Sequence, residues 1–184
     1  RPGLTSVEPN RSDDDDALDD GLVIGRYAEQ VQAVVDDADE QDPEERPHDA
    51  ADPVGFVISS ANSSLGILTD LGYATRQIIH AVQGVNALVI ETNHDEALLQ
   101  NDTKRPWSVK QRILSRHGHL SNQAAAMLVA EIATENLRHI LLAHLSEDCN
   151  SPSLASEAIR SQFSTSGIPT PEIHCPGHPP HPLP

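Results

Sequence analysis

The sequence has too few cysteines for a disulfide framework. Cys149 and Cys175 are the only two in 184 residues, and a cytoplasmic setting is the expectation for such a chain. No apolar run approaches the roughly 18 residues that a membrane span requires, so neither a transmembrane helix nor a membrane partner is expected. No basic n-region followed by an apolar h-region opens the chain. It begins with Arg1 rather than Met, so the first residue is not taken as the native start. Cations are also scarce, 12 Lys and Arg against 28 Asp and Glu, for a net charge of −16. That balance ordinarily argues against a nucleic-acid partner.

The distribution of charge reverses that inference. Residues 1–52 hold 17 acids and 4 bases, whereas residues 53–184 hold 11 acids and 8 bases. The second part also gathers Lys104, Arg105, Lys110, Arg112 and Arg116 with no acid between them. The overall acidity therefore belongs to the leader and says little about a site further on. A solvated helix face is the simplest use of such a basic run, and phosphate contact is the functional one.

Apolar residues concentrate between 53 and 145, which predicts one folded unit flanked by two weakly packed segments. Residues 1–46 read as an acidic, largely disordered leader or insertion. Within it, the segment from Gly21 to Val35 has enough apolar residues for a short strand followed by a helix. Residues 47–164 form the domain. The remainder, 165–184, contains seven of the fourteen prolines from Gly167 onward and is expected to lack regular structure. The tail also carries His174, Cys175, His178 and His181, a set of metal-ligand types that the prolines leave without a scaffold.

Inside the domain the pattern predicts strands at 54–60 and 65–69, the second ending at Asp70. A helix capped by Thr75 follows, stopping at Gly84. Residues 85–91 and 138–143 are continuous apolar runs, suited to strands buried on both faces. Short helices are expected at 95–100 and 107–116, an amphipathic helix capped by Ser121, and a last helix at 153–163. The fold class is α/β, a mixed sheet with flanking helices.

Three polar residues sit where such a sheet gathers ligands. Asp70 follows one strand, His144 follows another, and His48 lies in the loop before the first. Loops at strand ends converge above a rigid floor, and one carboxylate with two imidazoles suits zinc or a similar divalent ion. Capping and structural hydrogen bonding are the commoner uses of such residues. His80, His117 and His139 are assigned surface or structural roles, and Cys149 a packing role.

Six strings then occur in order: PHDAADPVG at 47–55, LTDLG at 68–72, LVIETNHD at 88–95, KQRIL at 110–114, GHLSN at 118–122 and LAHLS at 142–146. Together they resemble the metallo-β-lactamase superfamily, in its exonuclease- and phosphodiesterase-like branch that includes WalJ-type proteins of double-stranded DNA processing. The resemblance covers about residues 46–160. It implies the second half of an αββα sandwich and a metal-dependent hydrolase acting on a phosphodiester, DNA in particular. The implied cofactors are two divalent ions, zinc or manganese, which would activate water and polarise the phosphoryl group. His48 takes the place of the isolated histidine ligand, Asp70 of the bridging aspartate and His144 of the last histidine ligand. His119 corresponds to a motif near the site, in contact with a substrate phosphate or protonating the leaving group, and is expected further out in the cleft. Glu91, Asn93 and His94 follow the strand beside the site, where orienting a ligand imidazole is the modest role and plain loop hydrogen bonding the alternative. Asp49 is a candidate for similar support.

One element of the resemblance is missing. The superfamily's His-x-His-x-Asp-His motif supplies four ligand positions, and no such string occurs in this sequence. The resemblance therefore implies a C-terminal half that is inactive alone. Two alternatives stand beside it, a non-catalytic binding or regulatory module of the same fold and a hydrolase acting on something other than a phosphate ester.

Overall fold

The computed structural model describes residues 30–35, 54–166 and 168–176. His48 and Asp49, most of the acidic leader and the last eight residues, including His178 and His181, lie outside them. The described residues form one six-stranded mixed sheet in the order β1-β2-β3-β4-β5-β6. The strands are β1 (Gln30–Val35), β2 (Val54–Ser60), β3 (Ser63–Leu68), β4 (Ala87–Glu91), β5 (His139–Ala143) and β6 (Glu172–His174). β1, β2 and β3 are antiparallel, and β3 through β6 run parallel.

Each parallel step is bridged by helix. α1 (Arg76–Val82) joins β3 to β4. α2 (Glu96–Asn101), α3 (Trp107–Ile113) and α4 (Asn122–Ile132) lie between β4 and β5, and α5 (Pro152–Ser166) joins β5 to β6. Successive parallel strands added on one side with crossovers of one hand place every crossover helix on the same face of the sheet. The burial pattern agrees. Leu68, Leu88, Ile90, Ile140 and Leu142 are buried and share a face by register. Ile78 and Val82 of α1, Val129 and Ile132 of α4, and Ile159 and Phe163 of α5 complete that core.

Local chemistry sets the helix starts. The Thr75 hydroxyl accepts from the Ile78 amide at 3.4 Å and the Ser121 hydroxyl from the Ala124 amide at 3.1 Å. Asp95 caps α2 by accepting from the Leu98 amide at 2.9 Å. Pro152 occupies the first position of α5, where its missing N–H costs nothing.

The structure differs from the sequence expectations at both flanks. Residues 30–35 form a strand where the sequence pattern predicts a helix, because full pairing with β2 satisfies the backbone of this segment. The tail is also not wholly irregular. Glu172–His174 adds to the edge of β5 as β6, fitted between Pro171 and Pro176. Among the described residues, no helix is long and apolar enough to cross a membrane.

The opposite face of the sheet remains open in part. Phe56, Ile67, Val89 and Leu141 alternate with the buried set by register, and Phe56 and Leu141 are exposed. The two faces should answer differently to truncation. Ile140→Ala and Phe163→Ala each remove a fully buried side chain and should cost about 2–5 kcal/mol in urea unfolding. Leu141→Ala, one residue along the same strand but on the open face, should cost roughly 1 kcal/mol or less.

Candidate metal centre

The parallel strands end together, and their C-terminal edge carries the candidate residues. Asp70 lies just beyond β3, Glu91 is the last residue of β4, and His144 follows β5 directly. His119 comes from the loop between α3 and α4. Gly118 seats that loop, since a Cβ there would lie 2.0 Å from the Ile113 carbonyl oxygen. The Asn93 amide donates to the Leu120 carbonyl at 2.9 Å and fixes the loop against the end of β4.

Asp70 and His144 have φ of +57° and +54°. They are the only non-glycine residues with positive φ among those described. Left-handed backbone costs a residue with a Cβ roughly 1–2 kcal/mol, and such strain persists where the surroundings enforce it. Here the Asn93 side-chain amide donates to the His144 carbonyl at 3.0 Å, and the Leu71 amide donates to Glu91 Oε2 at 2.9 Å. Both strained residues turn their side chains toward the same point.

That point is crowded with ligand atoms. His144 Nδ1 lies 3.5 Å from Asp70 Oδ1 and 3.1 Å from Glu91 Oε1. His119 Nδ1 lies 2.6 Å from Glu91 Oε1 and 4.0 Å from Asp70 Oδ1. The two imidazoles meet edge to face with centroids 5.0 Å apart. Asp70, His119 and His144 each offer one ligand atom, all within 4.8 Å of one another. Two ligands bonded to one ion at ~2.0–2.1 Å in tetrahedral array lie about 3.3 Å apart, which the Asp70–His144 separation approaches.

Glu91 sets the electrostatics. Its side chain has no exposed surface, against 70% for Asp70, 42% for His144 and 30% for His119. Burial pushes its carboxyl from 4.5 up to about 7, opposed by the Leu71 N–H and the His144 ring and reinforced by Asp70. Glu91 Oε1 and His119 Nδ1 are both buried and lack a directional hydrogen bond despite their contact. A carboxylate and imidazole nitrogens left so fit a divalent cation at this edge.

The structure thus brings Asp70, His119 and His144 together, with His119 as close in as the others rather than further out. Glu91, for which the sequence suggests orienting a ligand imidazole or plain loop hydrogen bonding, lies against both rings. Asn93 does not reach a ligand ring and holds the His144 backbone instead. His94 is buried beneath, with neither ring nitrogen hydrogen-bonded, and burial lowers its pKa. A cavity of about 320 Å³ opens beside His119 and His144, reaching Arg105 and Asp148.

Part of the basic run proves structural. Arg105 pairs with Asp102 at 2.7 Å and Asp148 at 3.1 Å, and Lys104 also pairs with Asp148. Lys110 is buried, its ammonium donating to the carbonyls of Gln100 and Asp102. Arg112 and Arg116 are the exposed members of that half of the run. A second ligand-type group, His139, Glu172 and His174, lies at the other end of β5 and is wholly exposed. It contains no buried carboxylate to set against a cation.

The Glu91 shift fixes the sign of a pH effect. With a folded pKa above the unfolded one, the folded chain binds the extra proton, so the stabilising contribution is complete below pH 4.5. It is lost as pH rises through about 7. In chelator, stability should therefore fall over this window by roughly 3 kcal/mol. Glu91→Gln should flatten the decline in urea titrations at successive pH values.

No family model matches the chain. It is 39% identical over 121 residues to the exodeoxyribonuclease YycJ of Bacillus anthracis, covering 66% of this chain and 46% of that protein. It is 32% identical over 121 residues to the exodeoxyribonuclease WalJ of Streptococcus pneumoniae, covering 66% and 45%. The chain therefore spans about half the length of the curated relatives it matches. Among solved structures, the metallo-β-lactamase fold protein YhfI of Bacillus subtilis aligns with TM-score 0.47 and 14% identity, covering 69% of this chain and 42% of that one. Zn²⁺-bound PqqB of Methylobacterium extorquens aligns with TM-score 0.44 and 18% identity, covering 69% and 41%. By its identity to these curated relatives, the matched 121 residues are WalJ/YycJ-like, in line with the resemblance to metallo-β-lactamase-fold proteins read from the sequence.

Proposed function

We propose that the edge formed by Asp70, Glu91, His119 and His144 is the metal centre of a hydrolase that cleaves phosphodiester bonds in DNA. The observation that carries this reading is the convergence of Asp70, His119 and His144 ligand atoms within 4.8 Å at the C-terminal edge of the parallel strands. The curated relatives are exodeoxyribonucleases by name, which supports DNA as the substrate class. A divalent ion held there, zinc or manganese, would supply Lewis-acid polarisation of a phosphoryl oxygen and an acidified water.

The chain's own residues divide the remaining work. Asp70, the most exposed of the four, presents its carboxylate as a ligand able to bridge two ions. His144 presents an imidazole nitrogen 3.5 Å from that carboxylate, and His48 is assigned as a further ligand. Glu91 is too buried to meet a substrate and acts on the rings. Its Oε1 fixes the orientation of His119 and His144 and stabilises positive charge on either. His119, held in this way, is the group placed to donate a proton to a departing oxygen or to contact a phosphate.

Metal content and turnover distinguish these roles. After dialysis against Zn²⁺ or Mn²⁺, Asp70→Asn and His144→Ala should lose bound metal by elemental analysis. His119→Ala should retain it and, in a full-length enzyme that supplies the missing ligand positions, lower hydrolysis of duplex DNA by about 10²–10⁴-fold, the usual cost of removing a positioned acid. Asp70→Asn should cost more than His119→Ala. Loss of metal from His119→Ala alone would instead make His119 a ligand and Asp70 peripheral. Full metal retention in all three variants would remove the metal centre from this edge.

A further inference from the structure

Three aromatic residues are exposed among those described, Phe56, Tyr73 and Trp107, and Tyr73 is the one nearest in sequence to a residue of the candidate site. Tyr73 stands three residues beyond Asp70, with half of its surface exposed. Arg116 stands three residues before His119 and is exposed as well. Its guanidinium carbon lies over the Tyr73 ring, 5.0 Å from the centroid, within cation–π range. The two turns that carry them are locked together at Gly72. A Cβ on Gly72 would lie 2.4 Å from the Arg116 carbonyl oxygen, 2.5 Å from that of Ser115 and 2.6 Å from the Gly118 nitrogen. No larger residue fits, so the backbones of the Asp70 turn and the His119 loop pack directly against each other at Gly72. Unlike Lys104 and Arg105, Arg116 is turned toward an aromatic ring and away from the carboxylates of Asp102 and Asp148.

We propose that the Tyr73–Arg116 pair is a nucleotide-binding platform on the rim of the metal centre. The Tyr73 ring stacks on the base of a nucleotide next to the scissile phosphate, and Arg116 meets a neighbouring backbone phosphate. The inference rests on the reading of the edge as a phosphodiesterase centre and names the substrate feature it grips, an unpaired base. Two properties suit the pair to this. An arginine packed on an aromatic face is partly ordered before any ligand arrives, so less side-chain freedom is lost on binding. An aromatic ring stacks on any base, giving affinity without sequence preference. A nuclease that moves along DNA needs grip of that kind.

The test uses fluorescence anisotropy with a labelled single-stranded oligothymidylate in Mn²⁺, and the same oligonucleotide made abasic at either terminus. Tyr73→Ala should weaken binding by on the order of ten- to a hundredfold, the range of one base–aromatic stack. Tyr73→Phe, which keeps the ring, should stay within about threefold of the unaltered protein. Arg116→Ala should weaken binding and make its salt dependence shallower by roughly one counterion. The oligonucleotide abasic at the gripped end should bind weakly to the unaltered protein and equally weakly to Tyr73→Ala. Equal binding of the intact oligonucleotide by Tyr73→Ala overturns the platform. So does equal loss in Tyr73→Phe and Tyr73→Ala, or the absence of any oligonucleotide binding by the unaltered protein. A lowered melting temperature in Tyr73→Ala with unchanged affinity overturns it as well, by making the pair a structural clamp. The metal measurements separate this from the reading beneath it. If Asp70→Asn keeps its metal and its turnover while Tyr73→Ala loses affinity, the platform stands and the assignment of the metal centre falls.

Discussion

A carboxylate with no exposed surface, Glu91, is the constraint around which the rest of this edge is arranged. Placing an ionised acid at the end of a central strand is unfavourable unless its charge is met. Three groups meet it, the Leu71 amide at one oxygen and the His119 and His144 imidazoles at the other. Each comes from a different segment, so the position of Glu91 ties the end of β3, the loop before α4 and the end of β5 to one another. The protein groups alone balance it poorly, since one carboxylate oxygen and one imidazole nitrogen have no directional bond. The edge is therefore a place of stored electrostatic cost, as expected where charge is organised for use rather than for stability.

The backbone carries the same message independently. Two residues adopt left-handed conformations without being glycine, and they are Asp70 and His144. Glycine at either position would relieve the strain, so stability alone does not explain a carboxylate and an imidazole there. The strain and the buried charge arise from different physics, dihedral sterics in one case and desolvation in the other. They coincide within a few ångströms, which strengthens the assignment of this edge more than either does alone.

Much of the core is legible in the sequence because its strands are apolar runs bounded by turn residues. The 85–91 and 138–143 runs are legible as strands, though not buried on both faces as expected, since Leu141 is exposed and Val89 shares its face; Asp70 and His144 are conspicuous as the polar residues that end such runs. What escapes depends on partners distant in sequence. The β6 strand is three residues between prolines and exists because β5 offers an edge. The 30–35 segment mixes Gln, Ala and Val and takes its form from pairing with β2. Glu91 looks like an ordinary strand-end acid, since its contact with two rings exists only once β3, β4 and β5 lie in register. The basic run misleads in part. Lys104, Arg105 and Lys110 are cations by composition, yet their charge is spent on Asp102, Asp148 and two helix-end carbonyls.

That expenditure also separates the field at this edge from the overall acidity of the chain. Lys110, Arg105 and Asp102 weld the α2–α3 connection to the loop after β5, holding the wall of the cavity beside His119. Local neutrality along this wall leaves the field at the edge to be set by the few groups that are not consumed, the Asp70 carboxylate, the two imidazoles and Arg116. A bound divalent cation would outweigh all of these. The sign of the potential that a phosphate meets would then follow metal occupancy rather than the chain's net charge of −16. Asp70 is the residue most open to solvent in the cluster, so its carboxylate is the least screened of these groups by the protein.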